Sequence, residues 1–502
     1  MLQQTKRPKK RSVMVHSKYL KIAQTLAVVL NVLSLSSIAL GASLPDFTIA
    51  PVDIRFSTEN PVEGESVTIT VFVSNKGGES RDDIEVRFFE ATPDEWGLQI
   101  EKGDVIIGLG SGQRNKADVK WRAKAGSNDI YVVVDPDNTI AEANETNNQA
   151  HRTITCKALT LPKPSQTEIE AAIQKGLNWL RTQQGELYVL CPDGHENPSI
   201  MVSFGNCMIC RKPLTESQML KKDNLENKGG WNPIIGPGAT ALALMAFLHA
   251  GVSESDQAVA DGIDYLLHHA PVPNWEEWND SYDFAAGILA LQATGNKEKY
   301  LEKVTYATER ILKMQTYGGW GYGAYPDMAH MQYVMFALYA APKWGIEIPE
   351  ETFKQVADWV RSMQREDGGW SYGGTDVGSP WAASSYGSMT ATALMIFKIC
   401  GIPTTDPQFQ KGLEWLKRHY TVTSNPGAHD WDYYYILALQ RAMTIPPEQP
   451  LIGERNWYEE AAAYLLSQQR PDGSWEAGAQ EAAIMATPFA ILFLTKAIPS
   501  EE

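Results

Sequence analysis

Three cysteines and one histidine lie close together, at a spacing suited to metal binding. Cys191 is followed four residues later by His195, and Cys207 and Cys210 come after them. Three thiolates and one imidazole form a closed tetrahedral shell of the kind that holds structural zinc. A Cys207–Cys210 or Cys191–Cys207 disulfide is the alternative, because an oxidising compartment favours disulfides. The sequence predicts one structural Zn2+ ion bound by Cys191, His195, Cys207 and Cys210.

A second group that could do chemistry consists of acidic and histidine residues just ahead of apolar helical stretches. Asp327 and His330 form one pair, and His429 and Asp430 form another. Such pairs can transfer protons or bind a second metal. Helix capping is the alternative, since an Asp in the first turn satisfies free N–H groups and suits the helix dipole. Other polar residues expected at the same helix starts are Tyr282, Asp283, Trp381, Tyr386, Asp432, Gln480 and Glu481.

The elements that would position these residues follow from a repeated Gln–Gly–Trp phrase. Its clearest copies are residues 363–370 and 468–475, with further copies at 314–320 and 229–231. Gly permits a tight helix exit, and the Trp brings a large apolar surface with one N–H that needs a partner. The Gln can supply that partner or cap exposed backbone groups. A repeat of this kind predicts stacked helical hairpins joined by a staple that carries no chemistry itself.

Six apolar stretches along the chain are each preceded by a more amphipathic one. Helices that are apolar on most sides must be buried, whereas helices with a polar face lie at the surface. Six outer–inner hairpins predict an (α/α)6 toroid over residues 168–498, with the metal-site insertion at 188–215. Its function would lie in the central cavity, where the inner helices begin. The inner stretches start near Thr240, Ala286, Tyr333, Thr392, Tyr435 and Ala490.

Residues 46–156 have the pattern of β-structure. Residues 66–73, 84–89 and 129–134 alternate with period two, and several short strands in about a hundred residues predict a β-sandwich. The acidic and amide residues of 135–148 could bind calcium, or they set a turn by bonding their own backbone. Residues 157–167 form a linker. The predicted fold class is multidomain: an all-β immunoglobulin-like sandwich followed by an all-α (α/α)6 toroid.

The bulk properties and the N-terminus indicate where the protein resides. A length of 502 residues predicts two or more domains, and a net charge of −16 argues against a nucleic-acid partner. A basic cluster and a long apolar run make residues 1–43 a signal peptide or an N-terminal anchor. Anchoring in a membrane through residues 22–42 is the alternative to cleavage. The protein is therefore expected to be exported, and to be periplasmic, cell-surface or membrane-anchored in a bacterial cell envelope.

Three stretches resemble known families. Residues 134–148 resemble the closing hairpin of the CARDB family, immunoglobulin-like modules of prokaryotic surface proteins, which implies a spacer or adhesive role. Residues 168–498 resemble the prenyltransferase/squalene-cyclase repeat superfamily, with 469–475 as its QW motif. Residues 191–214 resemble a short heavy-metal-binding domain found beside copper and efflux proteins. Asp193, Arg211 and Lys212 stand where that family carries Met and Gly-Met, which favours zinc over copper.

The catalytic signatures of the toroid's enzymatic relatives are missing from this sequence. Squalene–hopene-type cyclases use an Asp-x-Asp-Asp acid, protein prenyltransferases hold zinc with Asp-x-Cys and a distant His, and thioester domains need Gly-Cys-Gly-Glu-Gln. Fold alone does not license an activity. The first hypothesis is an exported protein whose toroid binds a small molecule, lipid or protein. The alternative is a terpenoid cyclase/prenyltransferase-like enzyme, which requires Asp327/His330 and His429/Asp430 to converge on one pocket.

Overall fold

The computed structural model describes most of the chain beyond the N-terminal segment. The predicted signal peptide or anchor lies outside the described residues, as do His195, Cys207, Trp381, His429 and Gln480. None of the described helices is long and apolar enough to cross a membrane. The described residues are 43–93, 97–193, 196–198, 210–213, 219–222, 229–231, 237–269, 280–322, 325–373, 384–428, 430–476 and 481–496.

The N-terminal domain is a β-sandwich built from alternating strands. In β3 (Ser66–Asn75), every second side chain from Val67 to Val73 is fully buried, and the residues between them are only partly covered. This period of two places one face of each sheet in the core. The strands are β1 (Phe47–Thr48), β2 (Ile54–Phe56), β3 (Ser66–Asn75), β4 (Ser80–Glu90), β5 (Leu98–Gln99), β6 (Asp104–Leu109), β7 (Arg114–Arg122), β8 (Gly126–Val134) and β9 (Gln149–Cys156).

The strands form two antiparallel sheets. In the first sheet β3 pairs with β1, β2 and β7. In the second sheet β4 pairs with β5, β6 and β8, and β9 pairs with β8. The buried faces of the two sheets share one apolar cluster. The predicted all-β sandwich is confirmed.

The helical domain alternates amphipathic and apolar helices along the chain. The amphipathic helices bury one stripe, as in α7 (Glu350–Ser362), whereas the second helix of each pair is buried on nearly every side, as in α8 (Gly387–Ile399). The outer helices are α1 (Gln166–Gln183), α3 (Gln257–Asp264), α5 (Lys297–Met314), α7 (Glu350–Ser362), α9 (Pro407–His419) and α11 (Trp457–Gln468). The inner helices are α2 (Pro237–His249), α4 (Ser281–Ala293), α6 (Met328–Ala340), α8 (Gly387–Ile399), α10 (Asp432–Thr444) and α12 (Ala483–Leu494).

The inner helices form a closed ring. Each packs against the next in the order α2, α4, α6, α8, α10 and α12, and α12 packs back against α2. The outer helices lie against this ring, and α11 also contacts α1. The predicted (α/α)6 toroid is confirmed.

The Gln–Gly–Trp phrase is the staple between neighbouring hairpins. The indole N–H of Trp475 donates to the Leu465 carbonyl at 2.7 Å, and its ring lies so close to Gly176 of α1 that a Cβ there would be 2.8 Å away. The Gln469 amide donates to Ala172 in the same helix at 2.8 Å. Gln469 therefore caps backbone carbonyls, whereas the indole finds its partner in its own hairpin. This last staple closes the ring, because it joins the sixth hairpin to the first.

The other copies repeat the same contacts. Trp231, Trp320 and Trp370 donate to the Leu180, Ile311 and Val360 carbonyls at 2.8, 2.7 and 2.7 Å. The indole ring again packs against a glycine of the following outer helix. Trp231 packs against Gly262, and Trp370 packs against Gly412.

A small three-stranded sheet interrupts the first hairpin. Its central strand β10 (Glu186–Leu190) pairs antiparallel with β11 (Glu196–Pro198) and β12 (Met219–Lys222). It lies between α1 and α2, where the sequence placed the metal-site insertion.

The sandwich and the toroid are in direct contact. Glu63 has only 1% of its side chain exposed, and it pairs with Arg455 at 3.3 Å and accepts a hydrogen bond from Thr421 at 3.0 Å. On the same side, the Arg122 guanidinium donates to the Thr423 carbonyl at 3.4 Å. The sandwich therefore packs near the loop that leads into α10.

Candidate functional site

All six inner helices contribute to a chamber at their N-terminal ends. Its volume is about 550 Å³, which is within the range of small-molecule sites. The ring explains its position, because the first turns of the inner helices face one another across the axis. The lining residues are Gly238, Ala239, Asp280, Tyr282, Asp283, Tyr322, Ala329, Tyr372, Tyr386, Ser388, Met389, Asn425, Ala428, Trp431, Tyr434 and Met485.

Aromatic side chains dominate the chamber wall. Tyr282 packs on Tyr333 with 4.5 Å between ring centroids, and Trp431 meets Tyr434 edge-on at 6.2 Å. Aromatic walls of this kind bind apolar surface and attract cations to their faces. Trp431 belongs to this wall.

A buried histidine is held between two carboxylates at one side of the chamber. His330 Nδ1 lies 2.8 Å from Asp327 Oδ2, and its Nε2 lies 3.2 Å from Asp280 Oδ1. Burial alone would lower the pKa of His330, but the hydrogen bonds and charges of both carboxylates outweigh it and raise the pKa to about 9. The imidazole is therefore charged at neutral pH.

Asp327 also caps the helix that carries His330. Its carboxylate accepts the His330 backbone N–H at 2.9 Å, and Asp280 caps α4 in the same way through the Tyr282 N–H at 2.8 Å. Asp327 is therefore the N-cap of α6 and also the neighbour of the His330 ring. Asp280 was missed from the sequence, although an Asp directly before an apolar helical stretch was the available signal.

A third carboxyl group faces the same chamber. Asp283 accepts the Gly238 N–H at 3.1 Å. Burial and the negative charge of Asp280 raise its pKa to about 7. The Asp283 carboxyl is thus partly protonated at neutral pH and can donate a proton, whereas hydrogen bonding to His330 holds the pKa of Asp280 below its usual value despite burial.

The second predicted Asp/His pair is not brought to this cluster in the described part of the chain. His429 lies outside it, and Asp430 accepts the backbone N–H of Trp431 at 2.8 Å without lining the chamber. Glu481 caps α10 by accepting the Tyr433 and Tyr434 N–H groups, and burial raises its pKa well above the usual range.

The interior of the toroid also holds polar groups beneath the chamber. Arg441 of α10 is almost fully buried, and its guanidinium lies 4.9 Å from the ring centroid of Tyr333 and 4.3 Å from that of Phe336. Its Nε and Nη1 atoms have no hydrogen-bond partner among the described residues, and the same holds for the amides of Gln292, Gln332 and Gln440.

Two of the four predicted zinc ligands lie together in the insertion. The Sγ atoms of Cys191 and Cys210 are 3.5 Å apart, and a carboxylate oxygen of Asp193 lies within 4.8 Å of both. Two thiolates on a tetrahedral zinc ion, each with a bond of about 2.3 Å, are separated by about 3.8 Å. A disulfide needs about 2.05 Å, so this pair fits a shared metal better than a bond. Lys212 pairs with Asp193 at 2.5 Å.

In the sandwich, Asp135 sets the turn after β8. Its carboxylate accepts hydrogen bonds from the Thr139 N–H at 3.1 Å and the Ile140 N–H at 2.8 Å. The Asp135 carboxylate thus sets the turn by bonding nearby backbone groups, as one of the two sequence predictions for residues 135–148 requires.

The solved structures that are similar to this chain include CARDB domains and type II terpene cyclases. A CARDB domain from Pyrococcus furiosus, in complex with di-metal ions, is 24% identical, with 23% of this chain and 96% of that chain covered and a TM-score of 0.20. A protein from Geobacter metallireducens is 31% identical, over 20% of this chain and 90% of its own, with a TM-score of 0.18. A variant of the type II terpene cyclase MstE from Scytonema, in complex with its product merosterolic acid A, is 14% identical over 66% and 98%, with a TM-score of 0.40.

The remaining comparisons concern sequence. No curated protein matches the chain. The family model named CARDB matches residues 44–152, which comprise the nine strands up to the middle of β9. The N-terminal sandwich is therefore a CARDB domain.

Proposed function

We propose that the toroid binds a small, largely apolar molecule in the aromatic chamber, and that it does so in an exported protein of the cell envelope. The observation that carries this proposal is the chamber of about 550 Å³ into which all six inner helices open. Its wall is apolar on most sides, with its charged groups gathered around His330. Such a wall excludes water from an apolar ligand and leaves one side to orient a polar group.

The test is to identify what the native protein carries and then to block the chamber. Native mass spectrometry of the full chain, followed by extraction, should recover a bound lipid-like molecule. Met485→Trp places a larger side chain in the wall and should abolish its recovery, whereas Met363→Trp changes the same residue type at the end of an outer helix and should not. Equal recovery from both variants would place the ligand elsewhere.

A second function, acid catalysis on an isoprenoid-type substrate, is favoured by the carboxyl of Asp283. Its raised pKa of about 7 provides a proton donor at neutral pH, and the surrounding tyrosines would stabilise positive charge on a substrate. In this scheme the cluster of Asp280, His330 and Asp327 keeps a constant net charge beside the Asp283 carboxyl. Asp283→Asn removes the donor but keeps the shape and the acceptor for the Gly238 N–H. It should retain binding of the native ligand and lose any turnover, and a binding protein without catalysis shows no turnover in either form.

For the insertion we propose a structural zinc ion held by Cys191 and Cys210, with His195 and Cys207 as further ligands. The 3.5 Å separation of the two sulfurs supports it. A structural zinc of this kind contributes on the order of 10 kcal/mol to local folding. Elemental analysis of reduced, metal-replete protein should find about one zinc per chain, and Cys191→Ser should lose it. Cys400→Ser, a cysteine at the end of an inner helix, should retain it.

The CARDB domain is proposed to act as a spacer or adhesive module outside the cytoplasm. Export is supported by the basic and apolar residues of the N-terminal segment. Fractionation of cells that express the full chain should find it in the envelope or the medium, and deletion of residues 1–42 should keep it in the cytoplasm.

A further inference from the structure

A second cavity lies where the sandwich meets the toroid. This interdomain cleft has a volume of about 410 Å³. The sandwich contributes charged side chains of β7 and its neighbours, and the toroid contributes residues 424–428 and Asp432. Unlike the chamber, the cleft is polar, so it would hold a different part of a ligand or a different ligand.

The cleft and the chamber are neighbours. Asn425 and Ala428 line both cavities, so the loop that carries them is the wall between the two. That loop is firmly held: Asn425 is 1% exposed, its side-chain amide donates to Ser388 Oγ at 3.0 Å, and its backbone N–H donates to Asp432 at 2.8 Å. A molecule lying over this loop would contact both cavities at once.

The charges of the cleft favour an anion on its sandwich side. Lys124 is paired with Glu90, both largely buried. Lys120 and Arg122 take part in no ion pair within the described ranges. They stand two residues apart on β7 and are exposed, which places them on the same face of the strand.

The acids of the cleft are engaged with backbone groups. Glu101 accepts the backbone N–H of Lys120 at 3.5 Å, and Asp432 is buried and accepts the backbone N–H of Asn425. Lys120 is exposed without an ion pair in the described ranges, and Arg122, which donates to the Thr423 carbonyl, has further N–H donors for a ligand.

We propose that the cleft binds the anionic head group, a carboxylate or a phosphate, of an amphiphile whose apolar part occupies the chamber. This inference rests on the proposed binding function of the chamber and makes the CARDB domain part of the same site. The exposed Lys120 and Arg122 supply charge-assisted hydrogen bonds to the head group. The ligand class is thus an anionic amphiphile rather than a neutral hydrocarbon.

The test compares ligands that share one tail. Farnesol, farnesoic acid and farnesyl monophosphate differ only in the head group, and their affinities for the full chain can be measured by isothermal titration calorimetry. One charge-assisted contact strengthens binding by about tenfold or more. We expect at least one of the two anions to bind that much tighter than farnesol. Which of them gains more distinguishes a carboxylate site from a phosphate site.

The variants separate the cleft from the chamber. The double variant Lys120→Gln and Arg122→Gln should abolish the preference for the anions, so that their affinities fall to that of farnesol. The matched control, Arg114→Gln with Lys116→Gln, removes the same charge from the same strand outside the cleft and should keep the preference.

The outcomes distinguish this inference from the proposed function. Equal affinities for farnesol and both anions, or a preference that survives the double variant, would overturn the role of the cleft while the chamber remains a binding site. If none of the three ligands binds and Met485→Trp leaves the native protein's contents unchanged, both proposals are wrong.

Discussion

The interior of the sandwich and the interior of the toroid are both rich in apolar residues, but they treat polar groups differently. In the sandwich, the Asn75 amide donates to the Gly78 and Leu109 carbonyls, and Glu90 is shared by Trp121 and Lys124. In the toroid, Arg441 and Gln332 keep polar atoms that have no partner among the described residues. Buried polar groups are normally hydrogen-bonded, because desolvation without a partner is costly.

This difference fits the roles proposed for the two domains. Most buried polar groups of the sandwich are paired within the domain, and its buried side-chain atoms without a partner among the described residues are the amide oxygens of Asn147 and Asn148. The toroid keeps buried polar groups close to its chamber, where Tyr282 packs on Tyr333 and Tyr333 lies against Arg441. Buried polar groups without partners near a cavity are typical of a binding site in which the ligand supplies the missing hydrogen bonds.

The largest effect is expected at the staple that closes the ring. Trp475→Ala removes a fully buried indole and should lower the stability of the toroid by about 3–5 kcal/mol. Differential scanning calorimetry should show the toroid transition shifted and the sandwich transition unchanged. Trp121→Ala is the matched change in the sandwich core and should do the reverse. If either variant lowers both transitions equally, the two domains unfold as one unit. The stabilities of their interiors could then not be compared separately.

The next effect is a pH dependence carried by His330. Its pKa is raised to about 9 in the folded protein, against about 6.5 in an unfolded chain. The stabilisation is therefore fully present below pH 6.5 and is lost as the pH rises through 9. The toroid should lose about 2–3 kcal/mol across this interval, as measured by urea denaturation at several pH values.

His330→Gln should remove this pH dependence. His151 of the sandwich, which stacks on Tyr131 at 4.8 Å and is exposed, provides the control, and His151→Gln should leave the profile as it is. A sandwich and a toroid that lose stability in parallel between pH 6.5 and 9 would contradict the assignment to His330.

The architecture could be predicted from the sequence because repeated local patterns determine it. The alternation in β3 and the Gln–Gly–Trp phrase each fix a local geometry, and six copies of a hairpin close a ring. The same reasoning named Asp327 and His330, since a helix start in a toroid must face the axis. It missed Asp280, whose place before an apolar stretch marks a helix start, because no local pattern relates that position to His330 on another helix.

The metal and interdomain features show the same limit. Spacing predicted that Cys191 and Cys210 lie together, and they do. Spacing carried no information about which face of the sandwich meets the toroid. In the sequence, Glu63 and Arg122 are two of many charged residues in a segment rich in strands. In the structure, both lie at the domain interface. Contacts between distant segments depend on packing, which a periodic pattern does not encode.

A smaller effect, opposite in sign for the two interiors, is expected when a buried charge is replaced. Arg441→Met removes a guanidinium that has no carboxylate partner in the described part of the chain, so the toroid should become about 1–2 kcal/mol more stable. Lys124→Met in the sandwich leaves Glu90 without its cation and should cost about 1–2 kcal/mol. Urea denaturation of each variant gives both values. Destabilisation by Arg441→Met would mean that the toroid resolves its polar groups as completely as the sandwich does.

The smallest effects should come from exposed ion pairs, where the two domains ought to behave alike. Arg87 pairs with Asp137 in the sandwich, and Arg470 pairs with Glu476 after the last staple, with at least one partner well exposed in each. Exposed pairs contribute about 0–1 kcal/mol because solvent screens the charges and ordering the side chains costs entropy. Asp137→Asn and Glu476→Gln should therefore cost similarly little in urea denaturation at low salt, and less at high salt. A markedly larger loss for Glu476→Gln would show that the domains differ at their surfaces as well, and the contrast could then no longer be assigned to the buried polar groups around the chamber.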